Sequence, residues 1–222
     1  EYTNDGDDKT AYLSDIRYTL EKLVFSISKN ELPILEADMS GDGDLVCYTN
    51  NEGLYLPVSI SHFKSEEDNI RLYKVLTFQL LGQIQYQSER ALAALNEGIR
   101  YHGDVYLSLF STIETLRIDQ HIKATYPGLW RDIEIIHQQA DIDYPTHFFD
   151  GTSTKSVEAS LHMTSSLFES DYVLPKLIYQ SRFRLDIMAA VHAKKSRRAP
   201  LFLNPTHDVD EKLLDTTGDP NT

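Results

Sequence analysis

Residues 114–130 read "ETLRIDQHIKATYPGLW", and how this stretch is read decides the fold. Glu114, Arg117, Asp119 and His121 sit among Leu116, Ile118 and Ile122, and the run stops at Tyr126-Pro127-Gly128. On a helix, Glu114 and Arg117 face the same side at a spacing of three, and Arg117 and His121 do so at four. Pro-Gly then ends the helix in a turn. A planar guanidinium among apolar neighbours suits a buried fork-like contact. Glu114, Arg117 and Asp119 are therefore expected to form structural ion pairs, with Arg117 bridging to Asp119 or to a neighbouring helix. His121 has no second His at ligand spacing.

The same three-four apolar spacing recurs outward from this stretch. Thr10 is expected to cap a first helix through Leu13, Ile16, Leu20, Leu23 or Val24, and Ile27, ended by Asn30 and Pro33. Ser65 and Asp68 fit a capping box. They open a long helix expected from about Glu66 to Asn96 and closed by Gly98. Asp104 is expected to cap the helix of the opening stretch. Shorter helices follow over Leu129–Ala140 and from Ser153 or Thr154 to Phe168. A last long helix is expected from Asp171 through Pro175 to about Lys195. Between the first two helices, turn residues flank "LVCYT" and "LYLPVSI", which predicts a small β-hairpin at about 43–60. The expected fold is mainly α: a multi-helix domain over 1–200 with one β-hairpin insertion. An acidic linker or tail at 201–222 follows it.

Composition narrows the function classes. The 222 residues carry a formal net charge of −13. Residues 1–70 hold 15 acidic and 5 basic side chains, a net −10. Such a surface repels phosphate backbones, so nucleic acid is not an expected partner. No window reaches the roughly 18 apolar residues of a membrane helix, so no membrane insertion is expected. The start, "EYTNDGDDKT", does not read as a signal peptide. Cys47 is the single cysteine; no intrachain disulfide is possible, which fits a cytoplasmic setting. The basic run "KKSRR" offers Lys194, Lys195, Arg197 and Arg198 either as complements to a helix C-terminus or as a partner-docking patch.

Chemical motifs are sparse. Asp38, Ser40, Asp42, Gly43 and Asp44 imitate the start of a calcium loop, but Thr49 stands where the bidentate Glu belongs. An acidic hairpin turn is the expected structure there. A likeness to the Asp-x-Ser-x-Ser loop of von Willebrand A domains fails at Asp42 and lacks the preceding buried strand. No His-Glu-x-x-His zinc motif occurs; Gln79, Gln83 and Gln85 are read as buried or half-buried hydrogen-bonding groups. There is no Gly-x-Ser-x-Gly elbow and no Gly-Lys-Thr/Ser nucleotide loop. Cofactors and metals are not expected. The alternative is a hydrolase or metal-dependent enzyme whose site is assembled from distant residues.

Two segments carry a resemblance. "LFSTIETLRIDQHIKATYPGL", 109–129, resembles the pattern L…E-x-x-R-I-D-x-x-(I/L)-x-x-x-Y-P-G-L of the NorD/CbbO family. These are von Willebrand A-containing partners of MoxR-type AAA+ ATPases. "GLYLPVSISHFKSEEDNIRLYKVLTFQLLGQIQY", 53–86, is similar to the family's (V/L)-Y-L-P…E-x-N-x-x-L-Y-(K/R) segment. The resemblance implies a non-catalytic adaptor: a helical region that docks on a MoxR-type hexamer. The assembly then remodels or activates a client such as Rubisco or nitric oxide reductase. It carries over no catalytic residue, and the family's metal-binding A domain is not in this stretch of chain.

Overall fold

The computed structural model describes residues 9–37, 45–145, 156–170, 174–187 and 190. Among them are six α-helices, one 3-10 turn and five short strands, the mainly α fold with a small β insertion that the periodicity predicts.

The chain enters through a strand, not a cap. β1 (Ala11–Tyr12) pairs antiparallel with β5 (Ser59–Ile60). Tyr12, in extended conformation, occupies the N-cap position of α1 (Leu13–Ser28) without a side-chain cap. Thr10 therefore does not cap this helix. The orphan Leu13 N–H donates instead to the Val58 carbonyl at 2.9 Å, so a tertiary contact satisfies what a local cap would have. The predicted inner stripe holds: Leu13, Leu20 and Val24 are buried, and Ile16, Leu23 and Ile27 pack beside them. Lys29, left-handed at φ 58°, closes the helix.

The hairpin is real but has company. β3 (Tyr48–Thr49) and β4 (Leu54–Leu56) are antiparallel, and β2 (Ile34–Glu36) adds to β4 in parallel. Asn50 Oδ1 builds the turn by accepting from Glu52 N and Gly53 N. Leu54 and Leu56 bury fully against α2.

α2 (Glu66–Gln85) starts at Ser65, whose Oγ accepts from Asp68 N at 3.1 Å. Asn69 is buried in its first turn. Its Oδ1 accepts from Phe63 N, and its Nδ2 reaches the carbonyls of Lys9, Phe63 and Ser65. One amide thus ties the N-terminal strand, the entry loop and the helix together.

The expected single helix to Asn96 is broken. α2 stops at Gln85, Gln87 turns left-handed at φ 57°, and a 3-10 turn (Ser88–Ala91) leads into α3 (Leu92–His102). The sequence "YQSERA" holds neither Gly nor Pro, so no local signal marks the break. Gly98 does not close a helix either. It lies inside α3, where an added Cβ would come within 2.4 Å of the Tyr106 ring. Gly103, at φ 72°, is the actual stop.

α4 (Asp104–Thr125) is the axis of the molecule, packing against α2, α3, α5 and α6. Asp104 is its first residue, not its side-chain cap. Every residue from Phe110 to Asp119 is buried, so the helix has no solvent face over its middle. Its hydroxyls meet that demand locally: Ser111, Thr112 and Thr115 each donate to the carbonyl four residues back. α5 (Pro127–Gln139) begins on Pro127, two residues before the expected Leu129, because a proline's fixed φ and missing N–H suit the first helical position. Asp132 on α5 pairs with Arg71 and Lys74 on α2. α6 (Val157–Glu169) is capped by Ser156, whose Oγ accepts from Ala159 N; the candidate caps Ser153 and Thr154 lie outside the described residues.

The largest departure is the last element. Residues 174–184 are not helical. The segment turns at 178–179 and then runs with alternating burial. Leu177, Tyr179, Ser181 and Phe183 point inward, while Lys176 and Arg182 are exposed. Helix returns only at 185–187. Pro175 and local spacing allow a helix here; contacts from other elements hold the chain open.

Candidate functional site

The sequence singles out Glu114, Arg117 and Asp119, and the structure assigns them to two separate buried clusters. Successive positions on a helix diverge by about a hundred degrees, so Arg117 and Asp119 face different neighbours.

In the first cluster, Arg117 pairs with Glu114. Nε donates to Glu114 Oε2 at 2.8 Å and Nη2 to Oε1 at 2.5 Å. The two side chains are 1% and 0% exposed. Arg117 Nη2 also donates to the Tyr86 carbonyl at 3.2 Å, and Ser88 Oγ donates to Glu114 Oε1. Both of those partners lie at the break between α2 and α3. The broken helix exposes a carbonyl, and the buried guanidinium satisfies it. The Tyr86 ring lies against the imidazole of His121, with centroids 4.0 Å apart, and under the Arg117 guanidinium. The ion pair of α4 is thus the clasp for the α2–α3 kink. It reaches a neighbouring element but not Asp119.

Asp119 centres the second cluster. Its Oδ1 accepts from Gln79 Nε2 of α2 at 2.6 Å. Its Oδ2 accepts from the Tyr179 hydroxyl at 2.8 Å and the Tyr144 hydroxyl at 3.1 Å. The Tyr179 oxygen in turn lies 2.7 Å from His137 Nε2 of α5. Asp119 is fully buried, and desolvation pushes its carboxyl up to about 7 despite three stabilising hydrogen bonds. Burial pushes His137 down to about 4. Burial and the neighbouring carboxylate also drive the Tyr179 phenol well above its ordinary value.

An Asp–Tyr–His chain invites a catalytic reading, and its physical state argues against one. Tyr179 is fully buried, and its raised pKa is the opposite of an activated nucleophile's. The cluster instead explains why 174–184 is not helical. Tyr179 is drawn to Asp119, Ser181 Oγ accepts from Gln83 of α2, and Arg182 N donates to the Cys47 carbonyl at 2.9 Å. Successive inward contacts at odd positions demand a period of two, which a helix cannot supply.

Of the three glutamines, Gln79 and Gln83 are buried and hydrogen-bonded, while Gln85 is exposed. Cys47 is buried, and desolvation raises its thiol to about 12. Among the described residues, no three His, Cys, Asp or Glu side chains are placed to hold a metal ion. No helix among them is long and apolar enough to cross a membrane. The Asp38–Asp44 loop and the basic run Lys194, Lys195, Arg197 and Arg198 lie outside the described residues. Sequence reasoning missed Tyr144, Tyr179 and His137. Their only signal is polar atoms on otherwise apolar positions, which needs the fold before it can be read.

No protein family's profile matches the chain, and neither a curated protein nor a solved structure matches it.

Proposed function

We propose that this chain is a non-catalytic adaptor module that docks on a MoxR-type AAA+ ATPase in the cytoplasm. It helps that hexamer remodel or activate a client enzyme such as Rubisco or nitric oxide reductase. One observation carries the reading: the two family-like segments, 53–86 and 109–129, pack against each other, and their matching residues are the buried ties of one rigid unit. Tyr73 donates to the Pro57 carbonyl at 2.7 Å. Asn69 binds the entry loop. Gln79 meets Asp119, and Arg117 joins Glu114 to the α2–α3 kink. Residues used this way build a platform and leave no reacting group open to substrate.

An adaptor needs such a platform and a surface complementary to its partner. The acidic N-terminal third suits electrostatic docking, which speeds association and weakens as salt screens it. The test is co-purification of the 222-residue chain with a MoxR-type AAA+ ATPase, at low and high salt. Salt-sensitive binding without intrinsic ATPase or hydrolase activity is the expected result. No binding at any salt, or hydrolytic turnover by the chain alone, overturns the reading.

A further inference from the structure

Five polar side chains meet in the core, each from a different part of the chain. Asp119 stands on α4, Gln79 on α2, His137 on α5, Tyr144 on the loop after α5 and Tyr179 on segment 174–184. Gln79 Nε2 donates to Asp119 Oδ1 at 2.6 Å. The hydroxyls of Tyr179 and Tyr144 reach Oδ2 at 2.8 and 3.1 Å. His137 Nε2 lies 2.7 Å from the Tyr179 oxygen. Charged neighbours on α4 are engaged elsewhere: Arg117 pairs with Glu114, and His121 stacks on Tyr86. Around His137, Trp130 stands edge-on to it and to Tyr144, with Lys123 over the indole and Glu134 accepting from the indole N–H.

A phenol carries one hydrogen, and Tyr179 holds its own between two acceptors, a carboxyl oxygen and an imidazole nitrogen. Ionised Asp119 takes that hydrogen bond, so His137 Nε2 must carry a hydrogen and donate it to the Tyr179 oxygen. Protonated Asp119 has a hydrogen to give. The Tyr179 oxygen accepts it, and the phenol turns to donate to His137 Nε2, the ring's own hydrogen now sitting on Nδ1. We propose that these two bonds form a proton relay, in which titration of Asp119 reverses the Tyr179 hydroxyl and switches the tautomer of His137. One proton is taken up at Asp119. On the ring, one leaves Nε2 for solvent and one arrives at Nδ1, so the imidazole stays neutral. Other acceptors are worse placed. Gln79 Oε1 is buried without a donor, but its amide must turn over in the core to meet the carboxyl. Tyr144 makes the longer contact and is already bonded by Gln120. The Tyr179 route moves hydrogens alone. Burial holds Asp119 at about 7 and His137 at about 4, so near neutral pH the carboxyl titrates beside an uncharged ring. Asp119 and Tyr179 are 0% exposed and His137 8%; the relay carries a buried titration to a ring that meets solvent. Segment 174–184 stays fastened throughout, because Tyr179 keeps two bonds in each state. The relay needs no partner, so its fate and that of the adaptor reading are separate.

The test uses the full chain labelled with 15N-histidine and 13C-aspartate, followed by NMR from about pH 5.5 to 8.5. Long-range 1H–15N correlations read which His137 nitrogen carries the hydrogen, and the Asp119 carboxyl 13C shift reads its ionisation. Loss of each signal in His137→Gln and Asp119→Asn assigns it. The expected result is hydrogen on Nε2 above the transition and on Nδ1 below it, with both signals sharing one midpoint near pH 7. Asp119→Asn and Tyr179→Phe each leave His137 in a single tautomer across the range, while Asp119 still titrates in Tyr179→Phe. The amide spectrum verifies the fold of each variant, and the wild-type curves suffice where a variant does not fold. The proposal is overturned if His137 keeps one tautomer while Asp119 titrates, which places the proton on Gln79 with its amide turned over. It is also overturned if Asp119 does not titrate in this range, or if the tautomer still changes with pH in either folded variant.

Discussion

The phenol of Tyr179 donates a 2.8 Å hydrogen bond to Asp119 Oδ2 across 60 residues of sequence. This bond fastens the non-helical segment 174–184 to the central helix, and it does so inside the protein. Tyr179→Phe keeps the ring and removes the donor. The expected cost is about 1–3 kcal/mol, because a buried carboxylate loses one partner and His137 loses another. Urea denaturation at neutral pH measures it; an unchanged midpoint contradicts the role given to this bond.

Asp119 and His137 make opposing contributions to stability as pH changes. Burial raises Asp119 from 3.8 to about 7, so between those values the folded state holds a proton that the unfolded state has released. Its contribution is full below about 4 and is lost as pH rises through 7. Burial lowers His137 from 6.5 to about 4, so its contribution is present above 6.5 and lost as pH falls through 4. Each slope is about 1.4 kcal/mol per pH unit, and they cancel between about 4 and 6.5. Asp119→Asn removes one slope only. Relative to wild type, the variant's stability is expected to rise with pH from about 4 to 7. Denaturant midpoints at stepped pH decide this, and parallel profiles for the two proteins refute it.

Arg117 and Glu114 act as one unit. Arg117→Ala leaves Glu114 buried and its charge unpaired, with the Ser88 hydroxyl still donating to it. The expected loss is roughly 3–5 kcal/mol. Arg117→Met combined with Glu114→Gln removes both charges and keeps much of the volume. A double-mutant cycle is expected to show the pair costing less than the sum of its single changes. Additive losses would mean that the pair is not coupled.

At Gly82, α2 lies close against Ile118 of α4. A Cβ there would lie 2.5 Å from Ile118 Cγ2, and the β-branched Ile118 has little rotamer freedom to yield. Gly82→Ala is expected to destabilise by about 1–3 kcal/mol despite its better helix propensity. In an Ile118→Ala background the same change is expected to be neutral or favourable. Thermal melts of the four proteins check the reversal of sign.

Cys47 reports global opening. Its thiol is buried and raised to about 12, so the reactive thiolate is scarce in the folded protein. Alkylation at pH 8 is expected to be slow in the native state and fast in urea. Rapid native labelling would show that the contact between Arg182 and Cys47 opens by itself.

What the sequence determined by itself is the part governed by neighbours along the chain. The three-four stripe of α1, the Ser65 start of α2, the helix through Glu114 and Arg117, the presence of a short helix after Tyr126 and the "TNNEG" hairpin turn all follow local rules of spacing and turn chemistry. The pairing of Glu114 with Arg117 was readable for the same reason, since one helical turn separates them. Tertiary structure decided the rest. The kink after Gln85 exists because Arg117 donates to its freed carbonyl and Glu114 accepts from its serine. Asp119 left the expected ion pair because its own face meets Gln79, Tyr144 and Tyr179. Residues 174–184 satisfy both a helical and an alternating pattern locally. The bond that Gln83 donates and those that Asp119 and the Cys47 carbonyl accept select the alternating one. A local pattern leaves such a choice nearly degenerate in energy, and a few buried polar contacts from distant residues are enough to settle it.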